Sequence, residues 1–271
     1  MDPRLYRLSR RLFLSDLGRG TLAVAVLGPT AVACSSGGDG EGAAGPTATG
    51  GPPSTTAPDS VETGPVDTAA GGLAPLEWAR VNLDFVSAYV LVRGNEAAVV
   101  DTGTAGNAPA IESALNTLGS DFSQVNHVVL THMHPDHVGS LGPVLEATPA
   151  ASAYAGTDDV AAIESPREVQ GLDDGDEVFG LRVIHTPGHT PGHISVFDPD
   201  SGLLVAGDAL NGTDGSGLSG PNPDFTADLD LANASVAKLA QRDVETVLVG
   251  HGEPVESGAG PLLGELAASL G

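Results

Sequence analysis

The 271-residue sequence predicts a mixed α/β (α+β) domain, a layered sheet packed by helices on its outer faces, and three observations support this prediction. Short, β-branched apolar runs recur from about residue 73 onward, which is typical of buried strands. They alternate with stretches whose apolar residues follow helical spacing. Strands come first and mixed strands and helices follow, an order that suits a sheet covered by helices.

The predicted elements can be justified in order. Residues 86–92 and 97–100 are apolar runs on either side of a polar turn at 93–96, so they predict a hairpin. Residues 107–118 have apolar side chains at helical spacing and are followed by Gly119, which predicts a helix. The later predictions are a strand at 128–131, a short helix at 138–146, strands at 181–185, 194–197 and 203–206, a helix at 229–239, a strand at 246–249 and a helix at 262–270.

The first 33 residues have the pattern of an export signal, because a stretch with five arginines precedes the apolar run from Leu22 to Ala33. That run is too short to span a bilayer comfortably. Ser9-Arg10-Arg11-Leu12-Phe13-Leu14 resembles a twin-arginine motif, the address of a bacterial pathway that exports folded proteins. A basic anchor on an uncleaved helix is the alternative interpretation.

Residues 31–34, Ala-Val-Ala-Cys, resemble a lipoprotein cleavage box, although Ala31 stands where leucine is usual. Cleavage there would make Cys34 the lipidated first residue of the mature chain. Cys34 is the sole cysteine, so we expect neither an intramolecular disulfide nor a cysteine-ligated metal. We therefore expect an exported lipoprotein, anchored through Cys34 on the outer face of the bacterial cytoplasmic membrane.

Residues 34–72 are almost all Gly, Ala, Ser, Thr, Pro and acidic residues. Such a segment cannot bury enough apolar surface to offset its loss of conformational entropy, so we predict a disordered tether. Residues 73–271 have the length of one domain. The first 33 residues hold five of the 11 basic and two of the 35 acidic residues, so six basic and 33 acidic residues remain, a formal charge of −27. That charge repels phosphate backbones and argues against a nucleic-acid partner.

Three histidines and one aspartate lie within the six residues that follow the buried run Val128-Val129-Leu130-Thr131. These are His132, His134, Asp136 and His137, placed where a strand runs into a turn. Imidazole and carboxylate are the ligands that zinc and neighbouring transition metals prefer, whereas calcium and magnesium sites use oxygen ligands. The segment therefore predicts a transition-metal site.

This H-x-H-x-D-H pattern resembles the signature of the metallo-β-lactamase-fold hydrolases. Three later segments resemble the remaining ligand motifs of that family, in order and at predicted strand ends; they contain His189, Asp208 and His251. The chain from Leu73 onward is thus identified as a member of this family, similar to its glyoxalase II-like and lactonase-like branch. The resemblance implies a four-layer αββα sandwich.

The resemblance also implies a set of site residues. One metal site would consist of His132, His134 and His189, a second of Asp136, His137 and His251, with Asp208 bridging them. Two zinc ions per chain are implied, iron or manganese being possible instead, and Asp136 is implied as catalytic. We expect Asp101, His185 and His193 to support the ligands through hydrogen bonds instead of binding metal. His127 alternates with the strand and is expected to be a hydrogen-bonded sheet residue.

The implied reaction is hydrolysis of an ester, thioester, lactone or amide in a small-molecule substrate by a hydroxide held between two metal ions. About 20 residues follow His251, too few for the helical domain with which glyoxalase II binds glutathione, so we expect a different substrate. A β-lactamase is not favoured, because the ligand motifs contain no cysteine. Val100-Asp101-Thr102-Gly103 resembles the catalytic loop of an aspartic protease, but the sequence has no second loop of this kind to supply the partner carboxylate. A mononuclear iron persulfide oxygenase and a non-enzymatic surface zinc-binding lipoprotein remain alternatives, and the oligomeric state is open.

Overall fold

The computed structural model describes residues 73–215 and 217–271. The predicted export signal, the cleavage box with Cys34 and the tether lie outside these residues. Within the described part of the chain, no helix combines the length and apolar character that a membrane crossing requires.

Six strands form the first sheet: β1 (Leu76–Leu83), β2 (Val86–Arg93), β3 (Glu96–Val100), β4 (Val125–Leu130), β5 (Ser152–Gly156) and β6 (Val169–Leu172), which are neighbours in that order. The first three pair antiparallel, whereas β3 to β6 pair parallel. Parallel neighbours end at the same edge of a sheet, where ligand-binding loops of α/β proteins collect. The loops after β3, β4 and β5 therefore lie side by side.

The second sheet has the order β11-β10-β9-β8-β7, with β12 beside β10. Its strands are β7 (Glu177–Val178), β8 (Leu181–His185), β9 (Ile194–Asp198), β10 (Leu203–Thr213), β11 (Gly217–Ser219) and β12 (Thr246–His251). Strands β10 and β12 are parallel, and their register shifts on both sides of Gly207. Such an irregularity changes the direction in which the neighbouring side chains point. The side chain next to Gly207 is that of Asp208.

Five α-helices complete the domain: α1 (Ala108–Thr117), α2 (Pro135–Val138), α3 (Leu141–Ala147), α4 (Leu229–Leu239) and α5 (Ala259–Leu270). Three apolar clusters show how the layers pack. One joins a face of the first sheet to α1 and α3, a second lies between the two sheets, and a third joins the second sheet to α4 and α5. Both sheets are thus buried on both faces, which explains why β2 is buried along its whole length. This confirms the four-layer αββα arrangement.

The strand β8 and the helix α4 have the predicted bounds, and the predicted hairpin is present as β2 and β3. Other predictions were inexact. The helix predicted at 138–146 begins only at Leu141, as α3, because Val138 ends the separate short helix α2 and Gly139, packed against the backbone of Pro135 and Ala105, lies between the two. Strand β10 continues beyond the predicted end at residue 206 to Thr213, where it forms a hairpin with β11.

The sequence did not predict β1, β5, β6, β7 or β11. Strand β1 is only partly buried and includes Glu77, Arg80 and Asn82, so it lacks the apolar run that marks the inner strands. Four of the five residues of β5 are Ser, Ala or Gly, small residues that give little strand signal, and pairing on both edges stabilises the strand.

Candidate metal centre

The loops at the carboxyl ends of the strands bring all seven predicted ligands together. Strand β4 ends at Leu130, and the four ligands that follow it lie in the turn and in helix α2. The loop between β8 and β9 supplies His189, the irregular part of β10 supplies Asp208, and β12 ends at His251. The site therefore depends on both sheets, and the packing between them fixes its dimensions.

The first cluster consists of His132, His134 and His189. The Nδ1 atom of His134 lies 3.0 Å from the Nε2 atom of His132 and 3.0 Å from the Nε2 atom of His189. A neutral imidazole has one N–H group and one nitrogen with a free electron pair. Where three ring nitrogens point at one position, they cannot all be satisfied by hydrogen bonds to one another. This arrangement is suited to a cation coordinated by all three rings.

The second cluster consists of Asp136, His137 and His251. The Nε2 atom of His251 lies 3.4 Å from Oδ2 of Asp136, and the Nε2 atom of His137 lies 3.8 Å from the same oxygen. In this cluster and in the first, the potential ligand atoms all lie within 4.8 Å of one another. A carboxylate with two imidazoles is again a donor set for zinc or iron.

Asp208 lies between the clusters. Its Oδ1 atom is 3.3 Å from Nε2 of His137, while its Oδ2 atom is 3.2 Å from Nε2 of His251 and 3.3 Å from Nε2 of His189. The side chain is almost fully buried, with 8 % exposed. One carboxylate thus faces nitrogens of both clusters, the position required of a shared ligand.

Four of the five imidazoles have their second nitrogen fixed by a partner, which sets the ring orientation. The partners are Thr131 Oγ1 for His132 at 3.0 Å, Asp101 Oδ2 for His137 at 2.8 Å, Thr226 Oγ1 for His189 at 3.2 Å and the Phe85 carbonyl for His251 at 2.6 Å. In each ring the other nitrogen faces the site and is left free to bind a metal.

Asp101, which the sequence analysis assigns a supporting role, lies within hydrogen-bonding distance of a ligand histidine. It is buried directly after β3 in the left-handed backbone region, at φ 60°. Its Oδ1 accepts the Thr131 N–H at 2.7 Å, and its Oδ2 accepts the Thr131 hydroxyl at 2.8 Å and a bond from His137 Nδ1. Thr131 in turn contacts His132. Asp101 is therefore connected to one ring in each cluster, directly to His137 and through Thr131 to His132.

His193 also has a supporting position. Its Nε2 accepts the backbone N–H of Asp208 at 3.0 Å, which requires Nδ1 to hold the proton and donate it to Thr186 Oγ1 at 2.8 Å. His185 is less direct: its ring hydrogen bond within the described chain goes to the carbonyl of Pro191, in the His189 loop. His127 lies on β4 as predicted, but it packs on Tyr154 and its buried Nδ1 has no partner in the described part of the chain.

Burial keeps the imidazoles of the first cluster neutral. It lowers the pKa of His132 well below the usual value, and it lowers the pKa of His189 to about 4 although Asp208 acts in the opposite direction. The pKa of His134 is lowered by burial as well. A neutral imidazole has a free electron pair, so this cluster is already in the state that binds a cation.

The carboxylates dominate the second cluster. Burial alone would lower the pKa of His137, but Asp208 and Asp101 raise it well above the usual value. At His251 burial acts to lower the pKa, but the hydrogen bonds that the ring donates to the carboxylates of Asp136 and Asp208 raise it to about 10. For Asp208 burial acts to raise the pKa, yet His137 holds it well below the usual value. The cluster thus stabilises positive charge, whether protons or a metal ion provide it.

Two further observations show that these residues fit a metal ion. The Nε2 atom of His137 and the Oδ1 atom of Asp208 are buried and face each other, and neither has a well-aligned hydrogen bond among the described residues. Buried polar atoms without partners are rare, and coordination to a cation would satisfy both. In addition, a Cβ atom at Gly250 would collide with Asp208 Oδ1 and lie 2.8 Å from Cε1 of His137. A glycine there leaves the space that the two ligands need.

Sequence reasoning missed several residues at the site. Phe85, at the turn between β1 and β2, is 52 % exposed, and its ring stacks on His251 with the ring centroids 6.2 Å apart. Arg80 ties the same hairpin to the loop after β12 by bonding Glu253 and the Gly252 carbonyl, each at 2.7 Å. Thr226 orients His189 from the loop before α4. None of these residues belongs to a ligand motif, so only the tertiary structure identifies them.

Comparisons with known proteins agree with this geometry. Residues 81–251 match the family model described as the metallo-beta-lactamase superfamily. The probable metallo-hydrolase YflN of Bacillus subtilis (strain 168) is 32 % identical over 200 residues, which are 58 % of this chain and 75 % of that protein. The uncharacterized protein YobT of the same organism is 31 % identical over 201 residues, 64 % of this chain and 85 % of that protein. A hydroxyacylglutathione hydrolase of Aeromonas salmonicida (strain A449) is 38 % identical over 126 residues, 45 % of each chain.

Solved structures show the same fold. A metallo-beta-lactamase family protein from Thermus thermophilus superposes with a TM-score of 0.56 at 26 % identity, covering 72 % of this chain and 78 % of that one. The protein TTHA1623, solved in a di-iron-bound form, superposes with a TM-score of 0.54 at 28 % identity, covering 68 % and 92 %. Since the matched residues 81–251 span most of the sequence and include both clusters and Asp208, the chain belongs to the metallo-beta-lactamase superfamily.

Proposed function

We propose that this hydrolase binds two metal ions and cleaves an ester, thioester, lactone or amide in a small-molecule substrate. One observation supports the dinuclear site above all others: the Asp208 carboxylate lies within 3.2 to 3.3 Å of imidazole nitrogens from both clusters. A mononuclear centre would need only one of these clusters. The hydrolase class itself agrees with the relatives named as metallo-hydrolases and hydroxyacylglutathione hydrolase.

When bound, two metal ions lower the pKa of a water molecule and polarise a carbonyl group. His132, His134 and His189 would hold one ion, Asp136, His137 and His251 the other, and Asp208 both. The protein's own contribution is to fix these ligands before substrate arrives, through the hydrogen bonds that the imidazole rings make with Asp101, Thr131, Thr226 and the Phe85 carbonyl. Preorganised ligands avoid the cost of reordering the site during the reaction.

Asp136 is suited to move a proton. Its side chain is 21 % exposed, more than that of Asp208, so it lies on the open side of the site. Burial acts to raise its pKa, but the hydrogen bond from His251 and the charge of His137 lower it, so the carboxylate is ionised. One oxygen of this carboxylate would bind the metal ion, and the other can accept a proton from a water molecule and return it to the leaving group.

The opening of the site favours a neutral substrate with an apolar group. Phe85 presents an exposed ring beside His251, and Phe225, which is 61 % exposed, directly precedes Thr226, the hydrogen-bond partner of His189. The chain has a formal charge of −24, which disfavours polyanions such as nucleic acids. A thioester, ester or lactone with an apolar acyl group combines the required carbonyl with the surface that these rings can cover.

Zinc is our proposal for the metal, because imidazole and carboxylate ligands suit it. Iron also suits these ligands, and a structurally similar protein was solved in a di-iron-bound form. A dinuclear zinc or iron centre requires two ions per chain, whereas a mononuclear iron persulfide oxygenase would hold one, and elemental analysis of the purified protein separates these cases.

We also propose that the domain is exported by the twin-arginine route and anchored through Cys34. Two acyl chains give stable membrane retention, whereas one gives only marginal binding. Arg10→Lys with Arg11→Lys should leave precursor in the cytoplasm, and Cys34→Ser should release active enzyme into the soluble fraction. Normal export of the first variant, or membrane retention of the second, would contradict the corresponding part of this proposal.

The activity is tested with purified protein loaded with zinc, assayed against a panel of thioesters, lactones, aryl esters and β-lactams. We expect turnover of at least one carbonyl class and loss of that turnover in Asp208→Asn, which removes the shared negative charge. A protein that holds two metal ions but hydrolyses none of the panel would favour the non-enzymatic metal-binding alternative.

A further inference from the structure

A fully buried carboxylate that belongs to none of the ligand motifs lies behind the first cluster. Asp159 follows β5, the parallel neighbour of β4, so it lies at the sheet edge from which His132 and His134 also emerge. Its exposed fraction is 0 %. A buried carboxylate is costly unless it accepts several hydrogen bonds, so its partners indicate what it does.

Asp159 accepts three hydrogen bonds, which come from the two loops that carry the first cluster. Its Oδ2 accepts the backbone N–H of Met133, the residue between His132 and His134, at 3.1 Å. The same oxygen accepts the Thr190 hydroxyl at 2.6 Å, and Oδ1 accepts the Gly192 N–H at 2.8 Å. Thr190 directly follows His189. One carboxylate thus connects the backbone on both sides of the cluster.

The local packing is built around these bonds. A Cβ atom at Gly192 would collide with the Asp159 backbone N and lie 2.8 Å from its Cβ and Cγ, so only glycine allows the His189 loop to approach this closely. Thr190 is 1 % exposed, which keeps water from replacing its hydroxyl as the donor. The bonds of Asp159 go to groups in the ligand loops and not to the proposed ligand side chains, so it has no direct part in proton transfer.

We infer that Asp159 is a positioning residue that sets the distance between the His132–His134 loop and the His189 loop, and thereby the metal affinity of the first cluster. The inference rests on the proposed metal-binding function. Without the carboxylate, the N–H groups of Met133 and Gly192 lose their shared acceptor and the loops can separate. Among the described residues the second cluster makes no hydrogen bond or ion pair with Asp159, so we expect it to keep its geometry.

The test is a zinc titration of the metal-free full chain, by competition with a chelator, on Asp159→Asn. An amide must turn an N–H group towards at least one of the three donors. Because outer partners of metal ligands are typically worth 10- to 100-fold in affinity, we expect one of the two zinc affinities to fall by about that factor. Asp158→Asn is the matched control, since Asp158 is adjacent and exposed, and both affinities should stay at the wild-type value.

A double-mutant cycle separates positioning from a general structural role. Added to His189→Ala, which removes a ligand of the first cluster, Asp159→Asn should have little further effect on the remaining zinc affinity. Added to His251→Ala it should have its full effect. Equal, additive losses in both backgrounds would overturn the inference, because a general loss of stability does not distinguish the clusters.

Thr190→Val provides a second variant if Asp159→Asn does not fold, because it removes one donor and leaves the carboxylate in place. We expect about a tenfold loss of zinc affinity in the same cluster. Wild-type zinc affinities in the variants would overturn the role of Asp159 while leaving the proposed function intact. A wild-type protein that binds no zinc would overturn the proposed function and this inference with it.

Discussion

Replacing Asp101 with asparagine should weaken metal binding at the second cluster without changing the backbone. Asp101 lies at φ 60°, a region that asparagine tolerates well, so shape and conformation are preserved. In the native protein Asp101 Oδ2 accepts from His137 Nδ1 at 2.8 Å, which leaves Nε2 of His137 facing Asp208. An amide nitrogen at this position would face Nδ1 as a donor. The favoured tautomer of His137 would then have its proton on Nε2, the nitrogen required for the metal.

The expected loss of metal affinity follows from the loss of the correct His137 tautomer. Changes to the outer partners of metal-binding histidines typically reduce affinity by about 10- to 100-fold, or about 1.4 to 2.8 kcal/mol. We expect a loss in this range for one metal ion, measured by calorimetric titration of the metal-free protein with zinc. Hydrolysis at low zinc should fall in parallel and recover at least partly when zinc is raised.

The control is Asp84→Asn, which removes the same charge at an exposed residue that also has a left-handed backbone, at φ 76°. It should bind zinc as the wild type does. If Asp101→Asn also bound two zinc ions with unchanged affinity, the reasoning that Asp101 fixes the His137 tautomer would be refuted.

Three further predictions concern close packing, substrate binding and the core. Gly250→Ala should lower the free energy of unfolding by about 1–3 kcal/mol through overpacking, and it should also weaken metal binding. Gly142→Ala, with open space around its Cβ, should have neither effect. Denaturant unfolding measures the stability of each variant, and zinc titration measures its metal affinity. Phe85→Ala should raise KM for substrates with apolar acyl groups by about tenfold and leave metal content unchanged, because the backbone carbonyl, not the ring, holds the ligand histidine. Arg93→Met should lower the free energy of unfolding by about 3 kcal/mol, because it leaves the buried carboxylate of Asp198 unpaired, and adding Asp198→Leu should restore much of the loss. Unchanged unfolding of the single Arg93 variant, or unchanged KM of the Phe85 variant, would contradict these expectations.

The ligand loops were predictable because each motif keeps its chemistry within a few residues of a buried strand. The turn after β4 and helix α2 contain four of the seven proposed ligands, so the apolar run and the residue types after it predicted a transition-metal site, and the resemblance to the family implied the other three. The helix α4 was located from spacing alone, since it is amphipathic, and Asp228 caps its first turn by accepting the Leu231 N–H at 3.0 Å.

The missed features depend on contacts between distant segments. Strand β1 is stabilised by pairing with β2 along its whole length, not by an apolar run of its own. Asp159 lies 26 to 33 residues from the groups that it bonds, and Phe85 lies 166 residues from His251. Local sequence patterns do not reveal contacts between residues that are so far apart in the chain. The sequence signal for Asp159 was a carboxylate shortly after a strand parallel to β4, but β5 was not predicted to be a strand.

The central claim is that two clusters and one shared carboxylate bind two metal ions, and its most direct test is the metal content of the purified domain from about Leu73. Elemental analysis after dialysis should find close to two metal ions per wild-type chain and close to one in Asp208→Asn, with loss of turnover in that variant. Two tightly bound ions and full activity in Asp208→Asn, or a wild-type chain that retains none, would contradict the account.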